Sequence, residues 1–178
     1  LYELNLKLWI RKAFLLLSLC TFLISCGYHL RGTGSSLPPH IKKIYIPFFK
    51  NLTTRFELDV KLTQKVRNEV VARGKMELVG DEASSDAVLI GEIISFIATP
   101  IAFSGQTTAD RYNITIITKI VLRDLINKKV IFSNPSFIYQ KEYEVPQGTD
   151  FETVQTEAIE EVAGRFARSL VITILEGF

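Results

Sequence analysis

The apolar positions of this chain change period several times, and each change marks an element. Residues 42–49 alternate, with Ile44, Ile46 and Phe48 on one parity and Lys43 and Tyr45 on the other. That pattern predicts a strand. Pro47 has no N–H to give to a ladder, so it fits an edge or a strand end. The period then becomes four: Leu58, Leu62, Val66 and Val70 form one apolar stripe, the mark of a half-buried helix running to Arg73. Thr54-Arg55-Phe56-Glu57 has the form of a capping box and predicts the helix start, and Gly74 stands where a left-handed C-cap would close it.

Residues 76–79 read as a short strand and 80–86 as an acidic turn. Residues 87–98 are apolar on both parities, Val88, Ile90, Ile94 and Phe96 against Leu89, Ile93 and Ile97. A strand covered on both faces is expected, its second face against another protein. Residues 99–110, with Pro, Gly and small polar side chains, read as a loop. Residues 111–125 show the clearest alternation: Tyr112, Ile114, Ile116, Ile120 and Leu122 on one face, Asn113, Thr115, Lys119 and Arg123 on the other. A reversal at 127–129 leads into a strand at 130–132, a break at Asn134-Pro135, and a last strand at 137–145. Phe137, Tyr139 and Tyr143 share its inner face, and Gln140, Glu142 and Glu144 face water. Thr149-Asp150-Phe151-Glu152 is a second capping box. It precedes a helix to about residue 175 with Val154, Ala158, Val162, Phe166, Leu170 and Ile174 four apart.

Strand, helix, several strands, helix predicts an α+β fold: a two-layer sandwich, with a mostly antiparallel sheet of four to five strands and two helices on one face. The Thr, Lys, Arg and Tyr residues of the other sheet face make it the expected functional surface.

The N-terminal segment has a different character. Lys7, Arg11 and Lys12 precede an apolar run, 13–24, that ends in Leu23-Ile24-Ser25-Cys26. A charged start, an apolar middle and a small residue before the cut make a secretory signal, residues 1–25. The run is shorter than the roughly 20 residues a spanning helix needs. Leu three before the cysteine and Ser just before it have the form of a bacterial lipobox. Cys26 is thus the expected lipidation site, its thiolate taking a diacylglycerol and its freed amine an acyl chain. No cofactor beyond that covalent lipid is expected. Cys20 follows Leu19, too large for a cleavage site. Gly27 stands where an Asp would favour retention at the inner membrane, so an outer-membrane location facing the periplasm is expected. Residues 26–40, rich in Gly, Ser and Pro, read as a lipidated tether, and 41–178 as a single domain.

Charge and composition narrow the function. The signal carries three of the 21 basic residues and one of the 19 acidic ones, so the part from Cys26 onward holds 18 of each. That balance argues against a nucleic-acid partner. With Cys26 as the one cysteine left after cleavage, no intramolecular disulfide is available. His29 and His40 both fall in the tether, no Cys/His cluster has metal spacing, and neither a phosphate loop nor a nucleophile elbow is present. Glu92, in an apolar strand, is a candidate buried acid, though such residues more often pair with a base. An enzyme is not expected: no catalytic residues and no metal ligands are assigned.

Cys26-Gly27-Tyr28-His29-Leu30-Arg31 resembles the mature N-terminus of the LptE family of LPS-assembly lipoproteins, which typically begins Cys-Gly-Trp/Tyr-His-Leu-Arg. Gly105-Gln106-Thr107 to Tyr112, leading into an alternating strand, resembles the family's central hairpin, and the order of elements agrees over the whole part from Cys26. The resemblance implies a lipoprotein that partners and plugs LptD, an outer-membrane β-barrel, helps it assemble, and binds lipopolysaccharide on its way to the outer leaflet. The basic candidates for holding lipid A phosphates are Arg111, Lys119, Arg123, Lys128, Lys129 and Lys141. The loop Phe103, Ser104, Gly105, Gln106 and Thr107 is the candidate barrel contact, although it carries no Lys or Arg. The alternative reading is a secretion-system pilotin or other periplasmic accessory lipoprotein, which would have a different partner and no lipopolysaccharide affinity.

Overall fold

Two apolar helical stripes and one long alternating meander build the molecule. The structure, a computed structural model, describes Trp9 and residues 37–103, 109–146 and 151–176, with side chains in the last stretch from residue 156. Among the described residues of the packed unit 35–178, the elements in chain order are β1 (Lys43–Tyr45), β2 (Lys50–Asn51), α1 (Leu58–Ala72), β3 (Glu77–Val79), β4 (Ala87–Phe103), β5 (Ala109–Asp124), β6 (Lys129–Glu144) and α2 (Phe151–Glu176). They form one open sheet of order β3-β1-β4-β5-β6, with β2 also on β4, and two helices: an α+β fold.

The sheet is mixed. Its long meander β4-β5-β6 is antiparallel, but β1 runs parallel to both β3 and β4, and β2 runs parallel to β4. The parallel pair β1/β3 is joined through α1, the kind of crossover that parallel neighbours require.

The first strand breaks where Pro47 falls. From Tyr45 to Lys50 is five residues, against four from Val88 to Glu92 on the partner, so the chain carries one extra residue between β1 and β2. An extra residue reverses the inside–outside parity beyond it. Ile44 and Ile46 are buried as expected, but Phe48 is exposed and Phe49 takes the inner position, 2% exposed. Two groups on α1 fasten this irregular stretch. Thr63 Oγ1 accepts the Phe49 N–H at 2.9 Å. The Arg67 guanidinium lies 4.8 Å over the Phe48 ring, and its Nε donates to the Ile46 carbonyl at 2.9 Å.

The α1 stripe Leu58, Leu62, Val66 and Val70 is buried as the spacing predicts. Gly74 closes the helix at φ 62°, in the left-handed region that glycine enters without penalty. The capping box is not formed. Glu57 is the N-cap, at φ 58°, and makes no side-chain cap bond. Asn51 shapes the entry instead: its Oδ1 accepts from the Thr53 N–H (2.9 Å) and its Nδ2 donates to the Arg55 carbonyl (2.7 Å). The second capping box, 149–152, includes residues outside the described part.

The hairpin arms are longer than the sequence predicts. β4 continues through Pro100 to Phe103 and β5 begins at Ala109, so most of the expected loop 99–110 is strand. β6 likewise runs unbroken through Asn134-Pro135. There Thr118 pairs with Phe137 and Ile120 with Asn134, so a bulge takes up the extra residue, and Asn134 Oδ1 accepts the Ser136 N–H at 2.9 Å. β6 ends the sheet order, the position where a strand can hold proline. A bulge at Ile94 in β4 has a larger effect, because beyond it Phe96 and Ala98 turn to the core side and Ile97 to the open side.

The core lies between the helices and the inner sheet face. Leu89, Ile93, Ile114, Ile116, Ile120 and Leu122 meet Leu62, Val66, Val162, Phe166 and Leu170. Phe166 is met edge-on by Phe137 and Tyr139 at centroid distances of 5.7 and 6.2 Å. Leu37 is buried in the same core, so the packed body begins inside the stretch expected as tether.

Candidate functional site

Every second residue of β5 faces away from the helices, which places Arg111, Asn113, Thr115, Ile117, Lys119, Val121 and Arg123 along the open face. The alternation predicted this row, but not what surrounds it. Lys119 stands directly opposite Glu92 on β4, with Nζ 3.5 Å from Oε2. Glu92 is therefore half of a cross-strand pair. Arg111 reaches Glu144 at 3.3 Å and Glu142 at 3.8 Å on β6. Two of the basic candidates thus already have carboxylate partners.

The basic candidates do not converge on one site. Arg111 and Arg123 are twelve residues apart on one strand, about 40 Å at 3.3–3.4 Å per residue. Lys141 sits opposite Ile114 in the ladder and so projects on the helix side. Arg123, Lys128 and Lys129 do come together, at the β5–β6 turn, where with Asp124, Leu125 and Val130 they line an open depression of about 490 Å³.

That turn is tightly held. Asp124 is buried; its Oδ1 accepts the Asn127 backbone N–H at 2.9 Å, and its Oδ2 accepts the Asn127 side-chain amide at 2.9 Å and His40 Nε2 at 2.7 Å. These bonds, the Asn127 N–H foremost, hold the Asp124 carboxyl down at about 2. Beside it Asp86 accepts the backbone N–H groups of both Lys42 and Lys43 at 2.8 Å, which lowers its pKa as well. His40 was expected in the tether; its partners lie 84 and 87 residues away in sequence, and no local pattern reveals such a contact.

The open face carries a second feature that the sequence showed only in part. Ile97 of β4 and Ile138 of β6 are exposed there, at 49% and 56%, and Ile94, Ile101 and Phe103 are exposed at the register shifts of β4. Ile117, opposite Ser95 and Ile138 in the two ladders, lies between the rows. Large apolar side chains exposed together on a sheet are the usual mark of a surface that meets a partner. Of the candidate barrel-contact loop, Phe103 ends β4 and is exposed, while 104–107 lie outside the described residues. Among the described residues no helix is long and apolar enough to cross a membrane.

Sheet, helices and uncovered apolar face together define a two-layer α+β domain with an open sheet face. Comparison with known proteins narrows this. The chain belongs to the lipopolysaccharide-assembly family LptE, whose model matches residues 41–174. Solved structures share the fold at low identity. The hypothetical protein CT253 from Chlamydia trachomatis superposes with a TM-score of 0.53 at 12% identity, covering 78% of this chain and 97% of that one. Protein XCC0632 from Xanthomonas campestris, of family DUF330, gives 0.52 at 15%, covering 77% and 88%. A single-substitution variant of the PelC dodecamer from Paraburkholderia phytofirmans gives 0.52 at 16%, covering 82% and 95%. No curated protein matches the chain in sequence.

Proposed function

We propose that this chain is an outer-membrane lipoprotein, anchored through lipid on Cys26, that seats its open sheet face against an LptD-type β-barrel. There it helps the barrel assemble, plugs it, and contacts lipopolysaccharide in transit. It acts by binding, without turnover. The observation that carries the reading is the apolar open face: Ile97 and Ile138 are exposed there on either side of Ile117, with Ile94 and Ile101 exposed at the bulges of β4, in a chain of the lipopolysaccharide-assembly family. Leaving such a surface in water is unfavourable by about 25 cal/mol per Å², and a barrel wall or lumen would cover it. The polar residues between the isoleucines, Thr115, Asn113 and the Lys119–Glu92 pair, suit an interface that mixes apolar contacts with hydrogen bonds.

The test is co-purification of the tagged lipoprotein from detergent-solubilised outer membranes. A large β-barrel at near one-to-one ratio, retained in moderate salt, is expected for the parent and lost in Ile97→Lys/Ile138→Lys. Recovery of secretion components instead would favour the pilotin reading. Lipopolysaccharide binding by the purified lipoprotein alone is expected to weaken in Arg111→Ala/Lys119→Ala.

A further inference from the structure

We infer that the β5–β6 turn is a membrane-contact site: it rests on anionic phospholipid headgroups of the leaflet that holds the lipid anchor. The inference depends on the anchored reading of Cys26 given above. At this end of the sheet Arg123, Lys128 and Lys129 are exposed, and Lys42 and Lys43 are exposed on the neighbouring β1 side. Among the described residues none of these five side chains has a carboxylate partner within salt-bridge distance, whereas Lys119 and Arg111 further along β5 do. The nearby carboxylates of Asp124 and Asp86 are engaged by Asn127, His40 and the backbone of residues 42 and 43. Glu77 stands across the ladder from Lys43, and the turn that leads into Asp86 also carries Asp81 and Glu82.

The same turn also presents apolar side chains. Ile126 is 56% exposed and Val130 57% exposed, on either side of the two lysines. Lys128 sits in the left-handed region at φ 54°, and the Asp124–Asn127 bonds fix the turn's shape. Cations beside apolar tips form the pattern that attaches a peripheral protein to an anionic surface, as a second signal added to an acyl chain.

Connectivity gives this patch its occupant. His40 is bonded to Asp124 of this turn, and Leu37 is buried three residues earlier. Cys26 is eleven residues before Leu37, so a fully extended chain spans at most about 40 Å. The anchored segment therefore joins the packed body beside this turn, and its length is enough for the turn to meet the leaflet that holds the anchor; the hairpin end of β5, near Arg111, lies about 40 Å along the strand from the turn.

A single-cysteine probe tests this, since Cys20 leaves with the signal and Cys26 is acylated. The full lipoprotein carrying Ile126→Cys, or Thr99→Cys at the far end, would be labelled with a fluorophore. It would then be reconstituted into phosphatidylethanolamine vesicles with and without phosphatidylglycerol, containing spin-labelled acyl chains and no lipopolysaccharide. Intact mass of the same sample reads the acyl chains. The expected result is strong quenching at 126, weak quenching at 99, and loss of most of the quenching at 126 in Lys128→Glu/Lys129→Glu or without phosphatidylglycerol. Equal quenching at both positions, or quenching at 126 that ignores charge, overturns the inference. So does quenching at 126 that appears only after lipopolysaccharide is added. A chain without acyl mass that stays off the vesicles refutes the anchor, and the inference falls with it. An acylated, vesicle-bound chain with a water-exposed probe at 126 refutes the turn alone.

Discussion

Replacing Gly91 by alanine is expected to destabilise the fold, although alanine is ordinarily the better residue in a strand. A Cβ built on Gly91 meets Cγ, Cδ1 and Cδ2 of Phe49 at 2.7 Å each, so the ring lies flat over the glycine. Carbon atoms in contact sit at about 3.5–4.0 Å, which requires the ring to withdraw by about 1 Å. It has little room to do so. Phe49 is almost fully buried, its N–H is held by Thr63, and the next residue, Lys50, pairs with Glu92 on the glycine's own strand. Overpacking of this kind costs about 1–3 kcal/mol. The reduced freedom of the unfolded chain returns about 0.4–1 kcal/mol. The net is a loss of about 1–2 kcal/mol, or a fall in Tm of about 2–8 °C for a chain of this size. Equilibrium urea unfolding followed by circular dichroism would read it. In Phe49→Leu/Gly91→Ala the flat ring is gone, so the double variant should be more stable than the summed single effects by about 0.5 kcal/mol or more. A Gly91→Ala protein as stable as the parent, or strictly additive variants, would refute the packing argument.

Two further predictions concern buried polar groups. Thr63→Val keeps the shape but leaves the Phe49 N–H without its acceptor, and should cost about 1–3 kcal/mol, with Thr63→Ser recovering most of the loss in the urea midpoint. Asp124 has its pKa lowered in the folded state to about 2, so its contribution is present above the ordinary carboxylate value and is lost as pH falls from about 4 towards 2. Asp124→Asn should therefore flatten the fall in stability across that window, measured by urea unfolding at stepped pH. Asp86, lowered in the same direction, accounts for part of the slope that remains.

Where a single period ran without interruption, the sequence was legible. The Leu58–Val70 stripe, the left-handed Gly74 and the two faces of β5 all appear as the spacing implies. Bulges defeated the same logic. One extra residue near Pro47 exchanged Phe48 for Phe49, and another at Ile94 exchanged Phe96 and Ile97, because parity survives only as long as register does. Pro100 and Pro135 read as breaks, yet the meander absorbs both through register shifts nearby in its ladders. The capping box at 54–57 satisfied a local rule that the Asn51 turn overrode. For the candidate surface, the row of polar and basic residues on β5 was visible. Its neutralisation by Glu92, Glu142 and Glu144 was not, because those partners come from other strands. The distance between Arg111 and Arg123 was legible, since the two lie twelve residues apart on a strand that the alternation predicts.

Site-specific photocrosslinking in cells tests the central claim most directly. A crosslinking residue placed at Ile97 or Ile138 on the open face is compared with one at Asn68, exposed on α1. The account predicts adducts with a large outer-membrane β-barrel from 97 and 138 and none from 68. Barrel adducts from 68 with none from the open face would contradict it.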